Sequence, residues 1–378
     1  LGADVTTSGT QTYSGAVTVT GTGTRTLTGT TVTNSSTLDG GAIALTITGN
    51  ASIGGAITNV TNLSVSGTSA IGANVTTTGT QTYTGAVTLS ASPTLTTTSN
   101  TITFSSTVNS DSTTRNLTFG AGSGNAVFTG AVGNSAALGT ITNIAGQTLT
   151  FSDAVTATTI ANYGTLLFNA TSAKTISPAI TDNGTTTIQV INSTDGAPGI
   201  ITFSGNVAAD TITIGTTTKA GSALFNGTVV QGGTTNINIV GGDAAGENSL
   251  ANFANTVTVT AITLDDNTGT ATATFSGTAK TITGTINGLA TTEGTITVSG
   301  TPTFASTIGN TQRVSQLTIN GATTFQAAVR TNALTTTAAI SNGTTLDVAS
   351  TSSLGADVTT SGTQTYSGAV TVTGTGTR

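Results

Sequence analysis

One phrase recurs along this chain and limits what it can fold into. Tyr13-Ser-Gly15-Ala-Val17 returns as Tyr83-Thr-Gly85-Ala-Val87, Phe104-Ser-Ser106-Thr-Val108, Phe128-Thr-Gly130-Ala-Val132, Phe151-Ser-Asp153-Ala-Val155 and Phe203-Ser-Gly205-Asn-Val207. It continues as Phe225-Asn-Gly227-Thr-Val229, Phe253-Ala-Asn255-Thr-Val257, Phe275-Ser-Gly277-Thr-Ala279, Phe304-Ala-Ser306-Thr-Ile308 and Phe325-Gln-Ala327-Ala-Val329, with Ile53-Gly-Gly55-Ala-Ile57 as a variant. A ring, a small residue and an aliphatic stand at i, i+2 and i+4, and in a strand those three share a face. The expectation is that ring and aliphatic face inward, with the small residue between them making room. Asp153 and Asn255 occupy the small position; an inward polar group there would need a partner, so both are read as corner residues.

Shorter stretches support strands. Leu45-Thr-Ile47, Leu117-Thr-Phe119, Leu149-Thr-Phe151, Ile212-Thr-Ile214 and Leu317-Thr-Ile319 alternate apolar and polar, the period of a half-buried strand. Thr is the commonest residue, the long residues of exposed helices are scarce, and almost no helix is expected. A chain so rich in Thr and Gly also invites a reading as disordered. Disorder goes with low hydrophobicity and high net charge, whereas mean hydropathy here is +0.20 and the formal charge only −6 over 378 residues.

Most successive phrases recur at a similar short interval, as from Tyr83 to Phe104, Phe128 and Phe151, and three wider gaps look like two units with one phrase degraded. Strand-like units at a short period of this kind are the mark of a coil, and the Leu and Asn spacing of a leucine-rich repeat is absent. Gly- and Asn-rich segments at 47–55, 119–128 and 319–325 lie between the strands, and glycine supplies the positive φ such corners need. The expected fold is all-β: a parallel β-solenoid of about 16 rungs, each of roughly 20–29 residues.

Longer repeats overlie the rungs. Residues 1–20 and 71–90 match at 14 of 20 positions, and residues 1–25 return unchanged as 354–378. The chain is therefore read as one repeat unit, 1–353, followed by the start of the next, 354–378. With neither a start methionine nor a signal peptide, it is read as a segment of a longer array.

The phrases "TTTGTQTYTGAVTL" (76–89), "LTITGNASIGGAI" (45–57) and "VTNLSVSGTSAI" (60–71) resemble the β-strand repeats of very large bacterial surface proteins. These are in the style of filamentous-haemagglutinin adhesins and S-layer-type tandem-repeat proteins. The resemblance covers much of residues 1–155 and the remainder loosely. It implies an extracellular right-handed β-helix and carries no catalytic residues across.

The composition removes most chemistry. Histidine and cysteine are absent, which excludes Ser-His-Asp and Cys-His arrangements and zinc sites built on those ligands. Paired carboxylates of a polysaccharide-active β-helix remain conceivable, but the 14 acidic residues are dispersed. Asp265 and Asp266, in "LDDNTGT", are the adjacent pair and the candidates for a metal or catalytic role; a solvated turn is the plainer reading. Asp243 and Glu247 lack the spacing of calcium-binding repeats and are read as a loop. Glycine runs such as "GTGTR" lack the context of a phosphate-binding loop. Asn50, Asn59 and Asn62 stand in glycosylation acceptor patterns that so much Ser and Thr makes unavoidable. Eight basic residues leave no electrostatic footprint for nucleic acid, and no apolar run is long enough to span a membrane.

The expectation is an extracellular or cell-surface structural protein of a bacterium, not an enzyme, needing no cofactor. Its partners are further copies of the same repeat along a fibre axis, with lateral self-association. Rungs about 4.8 Å apart would give roughly 75 Å per repeat unit. The ring positions Tyr13, Tyr83, Phe104, Phe128, Phe151, Phe203, Phe225, Phe253, Phe275, Phe304 and Phe325 are expected to be mostly buried as its core. The alternative is a binding module whose Thr faces recognise ice or glycan, motivated by Thr256-Val-Thr-Val-Thr260 and Thr270-Ala-Thr-Ala-Thr274. That alternative needs hydroxyls in register from rung to rung, which the uneven phase of these runs argues against.

Overall fold

A computed structural model describes residues 1–191 and 199–373, with the side chains of 231–234 left out of the description. Described residues form strands, corners and bends and no helix. They gather into two compact units. The first comprises Leu1–Phe168 and Ile176–Thr186, the second Asn169–Thr175 and Thr187–Arg378. Each is a parallel β-solenoid, and together they make about 17 turns.

In the first unit the chain climbs by parallel pairing on three sides. One side carries the inward column Val5, Leu27, Ile47, Val65, Tyr83, Phe104, Phe128, Phe151, Phe168. A second carries Tyr13, Asn34, Ile53, Ile71, Leu89, Ser110, and a third Val17, Leu38, Ile57, Val75, Leu95, Phe119. The second unit follows the same plan. Phe203, Phe225, Phe253, Phe275, Val298, Ile319, Thr336, Leu354 and Val372 form one column. Another runs Ile188, Ile212, Ile237, Ile262, Ile286, Ile308, Val329, Leu346, Gln364.

The phrase is not one strand, as its spacing predicted, but two strands and the corner between them. Gln81–Tyr83 ends on the ring and Val87–Leu89 begins on the aliphatic; Thr84, Gly85 and Ala86 turn the corner. Ring and aliphatic both face inward because the chain bends between them. The small residue is needed for a different reason from the one expected. A methyl group at Gly130 would lie 2.6 Å from Ser106 C, and one at Gly85 or Gly227 would run into the carbonyl oxygen of Gly67 or Gly205 in the turn before. Space is short between turns, not beside the ring. Asp153 and Asn255 sit at such corners, where Asp153 Oδ1 accepts from the Ala154 N–H (2.7 Å) and Asn255 Oδ1 from the Thr256 N–H (2.9 Å).

Turn length varies more than the phrase spacing implied. One turn carries the chain from Phe151 to its paired position Phe168, another from Val65 to Tyr83, and a much longer one from Phe225 to Phe253. In a short turn the three strands follow one another at even intervals, as in Val358–Thr360, Gln364–Tyr366 and Val370–Val372.

Ten of the expected core rings are fully buried: Tyr83, Phe104, Phe128, Phe151, Phe203, Phe225, Phe253, Phe275, Phe304 and Phe325. They stack in separate columns, Tyr83 to Phe151 in the first unit, Phe203 to Phe275 in the second, and Phe304 with Phe325 on another side of the second, with centroids 4.8 Å apart for Phe104 and Phe128 and 4.9 Å for Phe128 and Phe151. Tyr13 is only half-buried and lies on a different side from Tyr83. Phe119 and Phe168 are fully buried without belonging to the phrase.

Candidate functional site

The adjacent carboxylates lie at a corner of the second unit, where Asp266 does structural work. Strand Val257–Asp265 ends there. Asp266 Oδ1 accepts from the Ala271 N–H (2.6 Å) and Oδ2 from the Gly294 N–H (2.8 Å), tying this turn to the next. Asp265 is half-buried, and burial, followed by the charges of Glu293 and Asp266, pushes its carboxyl above the usual range. A carboxyl that holds its proton more firmly is the one property of this corner shared with a general acid. Glu293 accepts from the Ala290 N–H (2.8 Å). Glu247 is buried and accepts from the Ala244 N–H (3.2 Å), while Asp243 is exposed. Among the described residues no three acidic, His or Cys side chains come together to hold a metal ion.

The candidate glycosylation sites are also parts of the scaffold. Asn50 Oδ1 accepts from the Thr68 N–H (2.9 Å) and Asn62 Oδ1 from the Thr80 N–H (2.8 Å), each reaching the next turn. Asn125 with Thr148, Asn206 with Thr228 and Asn248 with Thr270 repeat the device. Asn59 Nδ2 donates to Asp39 Oδ1 (2.8 Å).

Outward threonines are in register along parts of the coil, and of the two runs named above Thr274 joins such a line, while the register breaks beside Thr260. In the second unit Thr274, Thr297, Thr318, Thr335, Ser353 and Thr371 stand directly opposite one another in successive turns. The first unit carries Thr26, Thr46, Ser64, Thr82 and Thr103 in the same way. Corners absorb the differences in turn length, so phase lost in the sequence is recovered in space.

The remaining site is the turn over residues 354–373. A hollow of about 460 Å³ opens on it, lined by Leu354, Ala356, Asp357, Val358, Thr359, Gln364 and Val372. Val370 and Val372 are 45% and 58% exposed. The chain holds three versions of this turn, and their internal wiring is the same. Gln11 Nε2 donates to Val5 O (3.0 Å), Gln81 Nε2 to Val75 O (3.2 Å) and Gln364 Nε2 to Val358 O (3.0 Å). Tyr13, Tyr83 and Tyr366 each donate the phenol to the glutamine two residues before, at 2.9, 3.1 and 3.0 Å. Strands fall at matching places: Val5–Thr6 and Val358–Thr360, Gln11–Tyr13 and Gln364–Tyr366, Val17–Thr18 and Val370–Val372. Residues 374–378 lie outside the described residues.

Comparison of the chain with family models, with curated proteins and with solved structures returns no match.

Proposed function

We propose that the chain is an extracellular structural protein of a bacterium, a spacer segment in the stalk of a giant tandem-repeat adhesin or in a surface filament, and not an enzyme. The observation that carries this reading is the return of the sequence of residues 1–25 at 354–378, with matching strand positions and the same Gln–Tyr wiring over 354–373. A repeat that closes on its own starting structure extends indefinitely by adding copies. Its partners are further copies along the fibre axis, with lateral association between fibres.

The test is made on polypeptides containing one, two and three copies of the unit 1–353. Electron microscopy should show a fibre of constant width that lengthens by about 75 Å per unit at the strand spacing of a parallel sheet. Protease added to intact source cells should cleave the protein. Compact particles that do not lengthen, or complete protection in intact cells, would reject the reading.

The registered hydroxyl ladders favour a second reading, a face that binds ice or an ordered glycan. Thermal hysteresis and pull-down on insoluble polysaccharide decide it, and no activity in either at high protein concentration removes it.

A further inference from the structure

We propose that a recess on the side of the first unit, beside Tyr163, binds a neutral pyranose unit of a glycan, with the C–H face of the sugar on the tyrosine ring. The inference goes beyond the filament reading and uses none of the hydroxyls in the two outward lines described above.

The recess follows from unequal corners. Three successive turns join the same two sides of the coil, through residues 120–125 between Leu117–Phe119 and Ala126–Phe128, and through 143–147 between Leu138–Thr142 and Thr148–Phe151. The third uses only 163–164, between Ala157–Asn162 and Thr165–Asn169. Gly164 lets this short corner lie close under the one before it: a methyl group there would sit 2.5 Å from Gln147 O and 2.7 Å from Ile144 O. A recess of about 280 Å³ opens at the step, lined by Thr118, Thr142, Asn143, Ile144, Ala145 and Tyr163, with Phe119. Tyr163 is 40% exposed, whereas the rings of Tyr83, Phe104, Phe128 and Phe151 in the same unit are fully buried.

The same corner holds a buried donor without an acceptor. Asn143 Oδ1 accepts from the Tyr163 N–H (2.6 Å), which fixes its amide and leaves Nδ2 to donate to Asn162 Oδ1 (2.8 Å). Asn162 Oδ1 also accepts from the Gly164 N–H (3.2 Å), so this amide is fixed as well and cannot be turned round. Its Nδ2 is left with no hydrogen-bond partner, in a residue that is 0% exposed. Buried amide donors are nearly always paired, and an orphan whose orientation is imposed by backbone donors needs an acceptor from elsewhere. Asn162 is one residue from Tyr163 and one hydrogen bond from Asn143, both in the lining of the recess.

These features select one class of ligand. No residue around the recess is charged, so a phosphate, carboxylate or amine would enter without a counter-charge. An acyl chain or an aromatic ring would cover Tyr163 and Ile144 and leave the Asn162 donor unmet. A pyranose has an apolar face of C–H groups and a rim of hydroxyls that both donate and accept. Its face suits the tyrosine ring, which has an apolar body and a polar tip. Its hydroxyls match the side chains of Thr118 and Thr142 and supply the acceptor that Asn162 Nδ2 lacks, directly or through one water. An apolar lining with a few fixed polar groups is the general make-up of a small-molecule site.

Saturation-transfer-difference NMR on the full chain tests this, with maltohexaose, cellohexaose, mannohexaose and chitohexaose as probes at millimolar concentration. At least one probe should receive saturation on its ring C–H protons. Tyr163→Ala should keep the far-UV circular dichroism of the parent and weaken that binding at least about tenfold, as loss of an aromatic anchor does. Tyr163→Phe, which keeps the ring, should bind nearly as the parent does. Ala145→Arg, which fills the recess from an exposed position, should also abolish binding and carries the test if Tyr163→Ala does not fold. Thr318→Val, on an outward line of the second unit, should change nothing. No transfer to any probe, or full binding by a folded Tyr163→Ala or Ala145→Arg, would overturn the proposal. Binding lost in Thr318→Val and kept in Tyr163→Ala would also overturn it and move the glycan to the hydroxyl lines. The filament reading is judged separately, by fibre length.

Discussion

Tyr83 shows how much one side chain owes to the turns above and below it. Its ring stacks on Phe104 with centroids 5.4 Å apart, and its phenol is satisfied by Gln81 alone, away from water. Burial raises the phenol above its ordinary value near 10. The folded chain therefore keeps this proton at a pH where the unfolded chain has released it, so stability is whole below about pH 10 and falls as pH rises beyond it. Urea unfolding between pH 8 and 11 should show that fall, and Tyr83→Phe should be the flatter of the two. At neutral pH the same variant should lose about 1 kcal/mol with the hydrogen bond. Equal slopes for the two proteins would show that the phenol ionises as readily inside as out.

At the scale of the element, the corner is the demanding part of each turn. Strands here are often three residues long, and a strand that short is held by its neighbours rather than by its own propensity. The corners set how closely those neighbours approach. Gly85→Ala places a methyl group against Gly67 O, and crowding of this kind costs about 1–3 kcal/mol. In a polypeptide limited to residues 1–378, Gly15→Ala, at the same place in the phrase, meets nothing within 4 Å and should change stability little. The pair is a controlled comparison in chemical denaturation. A similar loss in both would mean that glycine serves backbone conformation there and not spacing.

For the molecule as a whole, the consequence is that damage stays local. Phe151 pairs with Phe168, Val65 with Tyr83 and Phe225 with Phe253, so strand pairing joins turns that are neighbours in the coil. Phe128 is fully buried between Phe104 and Phe151, and Phe128→Ala should cost about 3–5 kcal/mol. Hydrogen exchange should rise in the turns carrying Phe104, Phe128 and Phe151 and stay at the parent rate around Phe253 in the other unit. Uniform acceleration across both units would contradict nearest-neighbour stability.

The sequence alone determined the class of fold and the direction in which most side chains point. Both follow from local chemistry: β-branched residues alternating with apolar ones build a strand with one dry face, and a glycine-rich step between strands builds a corner. It was also enough to single out ten of the twelve fully buried rings, because ring, small residue and aliphatic mark the approach to a corner. Phe119 and Phe168 went unmarked because no such corner phrase follows them. Tyr13 matched the phrase yet is only half-buried, and it stands on a different side of the coil from Tyr83. Only the tertiary structure decided which side of the coil each phrase occupies, since that depends on how many residues the preceding corners absorb. It alone brought Thr274, Thr297, Thr318, Thr335, Ser353 and Thr371 into one line, although they are unevenly spaced in sequence. Register between turns is held by hydrogen bonds across the coil, and these connect residues by position in space, whatever the length of chain between them.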